Sequence, residues 1–84
     1  MLERALPLRD QLIAVCEAYA VAKKISISTL STQLLNGGGR LPAIAAGGDL
    51  NTGKFEEAMS WLSANWPENA VWPAEIARPN KVAA

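Results

Sequence analysis

Three consecutive glycines, preceded by an asparagine, interrupt the middle of this sequence at residues 36–39. Glycine adopts positive φ without steric cost and lets the chain reverse direction, so no regular helix is expected to continue through this segment. Apolar residues recur at helical spacing on both sides of it: Ile27, Leu30 and Leu34 before, Leu41 and Ile44 after. This spacing predicts two short helices, at residues 27–35 and 40–46, joined by a tight turn.

A longer amphipathic helix is predicted on each side of this pair. The first carries one apolar face, formed by Leu8, Leu12, Ile13, Val15, Cys16, Tyr19 and Ala20. It begins at Pro7, which a first helical turn tolerates, and closes with the cations Lys23 and Lys24. The last helix has a matching face, formed by Phe55, Ala58, Met59, Trp61, Leu62 and Trp66. It ends before Pro67, because the residue that precedes a proline disfavours α geometry.

Short polar residues mark the starts of the later helices. Ser26 is the expected N-cap of the first short helix, and Ser28 is the competing choice. Asn51 or Thr52 is expected to cap the last helix. The predicted fold class is therefore all-α, a compact helix-turn-helix bundle of about four helices with an extended C-terminal tail that contains proline and tryptophan.

The length and composition are those of one small domain. Half of the 84 residues are apolar, and we expect residues 1–79 to form a single helix-turn-helix-like unit. Within it, residues 67–79 form a tail that runs extended, because three prolines preclude a regular helix, and Trp72 pins this tail onto the helices as a strap. Residues 80–84 are expected to be a flexible C-terminus. So small a domain is marginally stable, which favours a dimer.

The charged residues limit the chemistry that this chain can perform. Eight basic residues balance eight acidic ones, and histidine is absent. Cys16, on the apolar side of its helix, is interpreted as a small buried hydrophobe. Glu56 and Glu57 are adjacent and point about 100° apart on a helix, so they cannot share a substrate. With no candidate metal site or nucleophile pair, we predict that the protein is not an enzyme and has no cofactor.

We expect neither a membrane span nor a secretion signal in this sequence. Its longest apolar run is far shorter than the ~20 residues that a membrane span needs. The first residues, MLER, do not begin a secretion signal, which requires a basic start followed by an apolar stretch. We therefore expect a cytoplasmic protein with no membrane partner.

Four short runs resemble small proteins that are encoded by bacterial phages and mobile elements. They are SISTLS at 26–31, GGGRL at 37–41, AGG at 46–48 and WLSANWP at 61–67. The tail with its Trp-Pro, Trp-Pro and Arg-Pro pairs belongs to the same similarity, which covers roughly residues 12–79. These proteins look like distant relatives of the Cro/C1 repressor class of helix-turn-helix proteins. The resemblance implies that residues 27–35 are the positioning helix and residues 40–46 the recognition helix, which enters the major groove of DNA.

The resemblance also implies a function, that of a small DNA-binding transcriptional regulator, expected to be a repressor of a phage or mobile element. Arg40 would contact a guanine of double-stranded DNA. Phosphate contacts are expected from hydroxyl, amide and ammonium groups, at Ser28, Thr29, Gln33, Asn51, Thr52, Lys23, Lys24 and Lys54. A homodimer would place its two recognition helices about 34 Å apart on a palindromic site.

The alternative is a protein-interaction module on the same scaffold, such as an antiactivator or a phage-encoded inhibitor of a host regulatory protein. The net charge of zero and an outward surface of alanine and glycine suit such a partner. DNA is favoured if the basic residues share one face with the short helices, namely Lys23, Lys24, Arg40 and Lys54. A protein partner is favoured if acidic residues border that face, namely Asp49, Glu56 and Glu57.

Overall fold

The computed structural model describes residues 7–79, which form four helices followed by a tail. In chain order these are α1 (Leu8–Lys23), α2 (Ile27–Leu35), α3 (Arg40–Ala45) and α4 (Thr52–Ala64). The described residues contain no strand, so the predicted all-α bundle is confirmed. None of the helices within this range combines the length and apolar character that crossing a membrane requires. Residues 1–6 of the predicted domain, and the flexible end predicted at residues 80–84, lie outside the described residues.

Two predicted N-caps are present as hydrogen bonds. The Ser26 Oγ accepts from the backbone N–H of Thr29 at 3.0 Å, which confirms Ser26 rather than Ser28 as the cap of α2. Asn51 caps α4, because its Oδ1 accepts from the backbone N–H of Lys54 at 2.8 Å. Each bond satisfies a first-turn donor that has no partner inside its own helix.

The turn between α2 and α3 reverses at its asparagine, not at its glycines. Asn36 has a left-handed backbone with φ of 65°, and among the described residues Gly47 is the glycine with positive φ, at 111°. Asparagine tolerates this conformation better than most residues with a side chain. The glycines of the turn therefore do not supply the positive φ that the sequence led us to expect from them.

The prediction that α4 continues to Trp66 is wrong, since the helix ends at Ala64. The Asn65 backbone N–H still donates to the Trp61 carbonyl oxygen at 3.0 Å, but the Trp66 N–H donates to the Ser63 oxygen at 3.4 Å, three residues back instead of four. The α-helical hydrogen-bond pattern therefore stops at Asn65. Pro67 excludes α geometry one residue later. Trp66 consequently lies outside the helix, directly before the tail.

The core lies where α1 and α4 pack together and is closed by α2, α3 and the tail. Its buried members are Leu12, Val15, Cys16, Tyr19, Ala20, Leu30, Leu41, Ala58, Met59, Leu62 and Ile76. The apolar faces predicted for the helices are largely confirmed, with Phe55, Trp61 and Trp66 half-buried at the edge. Ile76 enters the core from the tail, a contribution that no helical spacing indicates.

Cys16 is fully buried in this core, as the sequence predicts. Burial, with a smaller contribution from the nearby Glu17 carboxylate, raises the pKa of the Cys16 thiol to about 12. The thiol therefore stays protonated at neutral pH and behaves as a small hydrophobe.

The tail contains reverse turns and does not simply run extended. The Ala70 N–H donates to the Pro67 carbonyl at 3.2 Å, and the Ile76 N–H donates to the Pro73 carbonyl at 3.1 Å. A tryptophan precedes each of these prolines, and its indole N–H donates to the carbonyl oxygen at the end of the turn. Trp66 Nε1 donates to the Ala70 oxygen, and Trp72 Nε1 donates to the Ile76 oxygen. The two Trp-Pro pairs thus form the same local structure twice.

Arg78 fixes the end of the tail to the end of α4. Its Nε donates to the Ser63 Oγ and its Nη2 to the Ser63 carbonyl oxygen, each at 2.9 Å. Its guanidinium carbon also lies 5.3 Å from the centroid of the Trp72 ring, within cation–π distance. The carbonyl oxygen that Arg78 reaches belongs to the last turn of α4, where helical carbonyls lack partners within the helix.

Candidate nucleic-acid interface

One buried hydroxyl joins the two short helices. Ser31 is fully buried, and its Oγ donates to the Gly37 carbonyl oxygen in the turn and accepts from the Leu41 backbone N–H at 2.9 Å. This hydroxyl therefore connects α2, the turn and the first turn of α3. Sequence reasoning missed Ser31, although its position four residues after Ile27 and three before Leu34 places it on the apolar face of α2.

The exit from α3 is fixed by a close backbone approach. The Gly48 N–H donates to the Ala43 carbonyl oxygen at 2.8 Å. A Cβ at Gly48 would lie only 2.8 Å from that same oxygen, so a side chain does not fit there. The chain consequently turns tightly from α3 toward the start of α4.

Residues of α3 divide cleanly between the core and the surface. Leu41 and Ile44 are buried, as predicted, while the remaining residues of the helix are exposed. Arg40 occupies the first helical position and is the one polar residue of this six-residue helix. The outward surface of α3 therefore presents a single guanidinium among proline and alanine side chains.

A cleft of about 420 Å³ lies between α3 and the start of α4. We call it the α3–α4 cleft; it is lined by Leu35, Arg40, Ile44, Asp49, Leu50, Asn51 and Lys54. Three of the predicted site residues, Arg40, Asn51 and Lys54, are brought together here. Asp49 also lines the cleft, and it is one of the three acidic residues that we expected to favour a protein partner if they bordered the basic residues.

The other predicted lysines lie elsewhere. Lys24 lines a separate groove between α1 and the tail, together with Glu17. Lys23 is exposed in the last turn of α1. The predicted basic residues thus do not share one concave surface, and each of the two concave surfaces that holds some of them also contains a carboxylate.

The predicted polar residues of α2 and α4 are on the surface. Ser28, Thr29 and Gln33 are exposed along α2, and Thr52 is exposed at the first position of α4. The Thr29 Oγ1 also accepts from the Ser26 hydroxyl at 3.0 Å, which orients it at the start of the helix. Glu56 and Glu57 are exposed on α4 and do not line the α3–α4 cleft.

No family model, curated protein or solved structure matches this chain. The resemblance to the Cro/C1 class therefore remains a prediction from the sequence.

Proposed function

We propose that this protein is a small DNA-binding transcriptional regulator, a cytoplasmic repressor of a phage or mobile element that acts as a homodimer. The observation that carries the proposal is the α2–turn–α3 unit, which Ser31 closes and which leaves Arg40 exposed at the start of α3. A short helix held rigidly against a second one, with its first residue free to reach a base edge, is what recognition in the major groove requires.

The start of α4 supports the phosphate contacts of this proposal. Thr52, Gly53 and Lys54 are exposed in its first turn, directly after the Asn51 cap. The N-terminal end of a helix carries partial positive charge and free N–H groups, which suit a phosphate. Because Lys54 lines the same cleft as Arg40, one DNA backbone passing the cleft would meet both cations.

The number of cations in the cleft predicts how steeply the affinity for DNA falls with salt concentration. On random-sequence DNA Arg40 has no selected guanine to contact, so we count its guanidinium, like the Lys54 ammonium, as a phosphate contact. Two cations per chain then give four phosphate contacts for a homodimer, and each neutralised phosphate contributes about −0.9 to the slope of log affinity against log salt. We expect a slope of about −3.6 on random-sequence duplex DNA, measured by fluorescence anisotropy of a labelled duplex from low ionic strength upward. Absence of binding even at the lowest salt would overturn the proposal.

Substitutions of Arg40 separate charge from base recognition. On random-sequence DNA, Arg40→Ala should reduce the salt slope by about 1 for each chain, because one cation that contacts a phosphate there is lost. Arg40→Lys keeps the positive charge but removes the planar guanidinium that can donate two parallel hydrogen bonds to a guanine. The salt slope should therefore stay as in the parent protein. The preference for a selected operator over random DNA should fall roughly tenfold. If Arg40→Ala bound the selected operator as the parent protein does, α3 would not be the recognition helix.

A protein-interaction module, such as an inhibitor of a host regulatory protein, is the second candidate. The observation that favours it is the apolar floor of the α3–α4 cleft, formed by Leu35, Ile44 and Leu50, with Asp49 beside the two cations. Apolar side chains bordered by both signs of charge suit a polypeptide better than a polyanion. A protein that fails to bind DNA at low salt, and that binds a purified host regulator through Leu35 and Leu50, would support this function.

A further inference from the structure

Helix α1 has a second apolar face besides the one that packs in the core. Between Leu12 and Ala22 its one charged residue is Glu17. Outside the core contacts lie Ala18, Val21 and Ala22, and Val21 is 77% exposed. A helix that is apolar all round is normally buried. This second apolar face of α1 is instead exposed, so we expect another surface to pack on it.

The second face of α1 forms one wall of a groove whose other wall is the tail. The groove measures about 630 Å³ and includes Val21 on α1 and Val71 on the tail. These are the exposed large apolar side chains of residues 7–79, and Val71 is 85% exposed. Two such residues in one groove mark it as a contact surface rather than as scattered surface apolarity.

The fold fixes the chain on both sides of Val71. Trp66 Nε1 donates to the carbonyl oxygen of Ala70, the preceding residue, at 2.9 Å. Trp72, the following residue, packs its ring 4.8 Å from the Trp66 ring, centroid to centroid. Val71 is therefore held in an outward position by neighbouring structure.

We infer that a second copy of this chain docks in the groove, with the two α1 helices antiparallel about a two-fold axis. The argument is the placement of two opposite charges on the rim, Glu17 and Lys24. Glu17 lies within α1, and Lys24 is the left-handed C-cap residue directly after it, yet both line the same groove. Seven residues of helical rise place them about 10 Å apart along the helix axis. A two-fold axis midway between them sets Glu17 against Lys24 of the partner subunit, and the reverse, so that both charges are matched twice.

The side chains near this axis suit a close helix pair. Val21 lies next to the midpoint of Glu17 and Lys24, where it would meet its own copy. Ala18 and Ala22 flank it and leave room for two helices to approach within about 8 Å. A self-complementary charge pattern is what a two-fold contact requires, whereas an unrelated partner would need no such symmetry. This interface would serve the homodimer of the proposed function, but it rests on α1 and the tail alone.

Sedimentation equilibrium without DNA tests the inference over a wide concentration range. The parent protein should reach twice the 8.9 kDa of one chain. Glu17→Lys alone, or Lys24→Glu alone, places like charges across the axis and should raise the dimer dissociation constant about tenfold. The double variant E17K/K24E exchanges the two signs and should restore the parent value. Lys23→Glu is the matched control, because it makes the same charge change beside the groove and should leave the constant unaltered.

Val21→Glu provides a second, independent variant. It places a carboxylate at the centre of the contact and should raise the dissociation constant at least tenfold, while thermal unfolding of the diluted monomer stays as in the parent protein because Val21 is exposed there. A parent protein that remains monomeric, a dimer indifferent to Val21→Glu, or a double variant that fails to restore dimerisation overturns the inference. Since DNA is absent, these outcomes are separate from those that test DNA binding.

Discussion

Ser31 shows how one side chain decides whether two short helices act as a unit. A six-residue helix such as α3 is too short to be stable by itself, so its orientation depends on what holds its first turn. Ser31 provides that hold by accepting from the Leu41 N–H while it donates to the Gly37 carbonyl. The position of Arg40, one residue before Leu41, follows from this contact.

Replacing Ser31 by alanine should therefore loosen α3 and lower the stability of the whole domain. The change leaves the buried Leu41 N–H without its partner, which costs about 1–3 kcal/mol in the free energy of unfolding, whereas the Gly37 carbonyl keeps its bond from the Arg40 N–H. Chemical denaturation measures the loss, and hydrogen exchange at the Leu41 amide should accelerate. Thr32→Ala is the control: its exposed bond to the Ser28 carbonyl should be worth less than about 0.5 kcal/mol. Equal losses in the two variants would contradict the role given to Ser31.

At the scale of the helices, what the sequence predicts well is local. Ser26 and Asn51 cap their helices through donors three residues away, so short patterns contain the whole interaction. Apolar spacing likewise identifies the buried side of each helix, because the face that a residue occupies depends only on the 3.6-residue helical repeat. The end of α4 was mispredicted because the Trp66 N–H donates three residues back, to Ser63, instead of four, and apolar spacing contains no signal for that change.

The candidate site was only partly predictable for a related reason. Spacing states which face of a helix a residue occupies, but not which helices meet. Arg40, Asn51 and Lys54 converge because α3 is followed by a tight turn at Gly48, whereas Lys24 lies in the groove between α1 and the tail. The contacts that position the tail join distant residues, such as the hydrogen bond from Arg78 to Ser63 across 15 residues. No local sequence motif predicts such contacts.

The two glycines that flank α3 should respond in opposite ways to alanine. Gly48→Ala places a Cβ 2.8 Å from the Ala43 carbonyl oxygen, a backbone atom that cannot rotate away. We expect a loss of about 1–3 kcal/mol in the free energy of unfolding, as for an overpacked site. Gly39→Ala is the matched control, because a Cβ there meets nothing within 4 Å and its φ of −94° suits alanine, so the change should stay within about 0.5 kcal/mol. Equal losses in both variants would show that the approach at Gly48 does not limit the turn.

At the scale of the whole molecule, aromatic rings connect the tail to the long helices. Tyr19 of α1 lies 5.6 Å from Trp61 of α4 and 6.0 Å from Trp66, measured between ring centroids. Trp66 in turn lies 4.8 Å from Trp72. Tilted pairs at these distances stabilise beyond the area that they bury. Trp66 stands in the middle of this series and is therefore one of the residues through which the tail and the helices support one another.

Trp66→Ala should consequently destabilise the entire domain rather than release the tail alone. Removal of a fully buried tryptophan costs about 3–5 kcal/mol, and for the half-buried Trp66 we expect about 2 kcal/mol. A domain of this size loses roughly 4–8 °C in Tm for each kcal/mol, so thermal unfolding should shift down by at least about 8 °C. Glu68→Ala, an exposed change in the turn that Trp66 closes, should leave Tm nearly constant.

If Trp66→Ala melted within a few degrees of the parent protein while hydrogen exchange rose only in residues 67–79, the tail would be an appendage of the helices. A single cooperative transition at the lowered Tm would instead make it part of the domain.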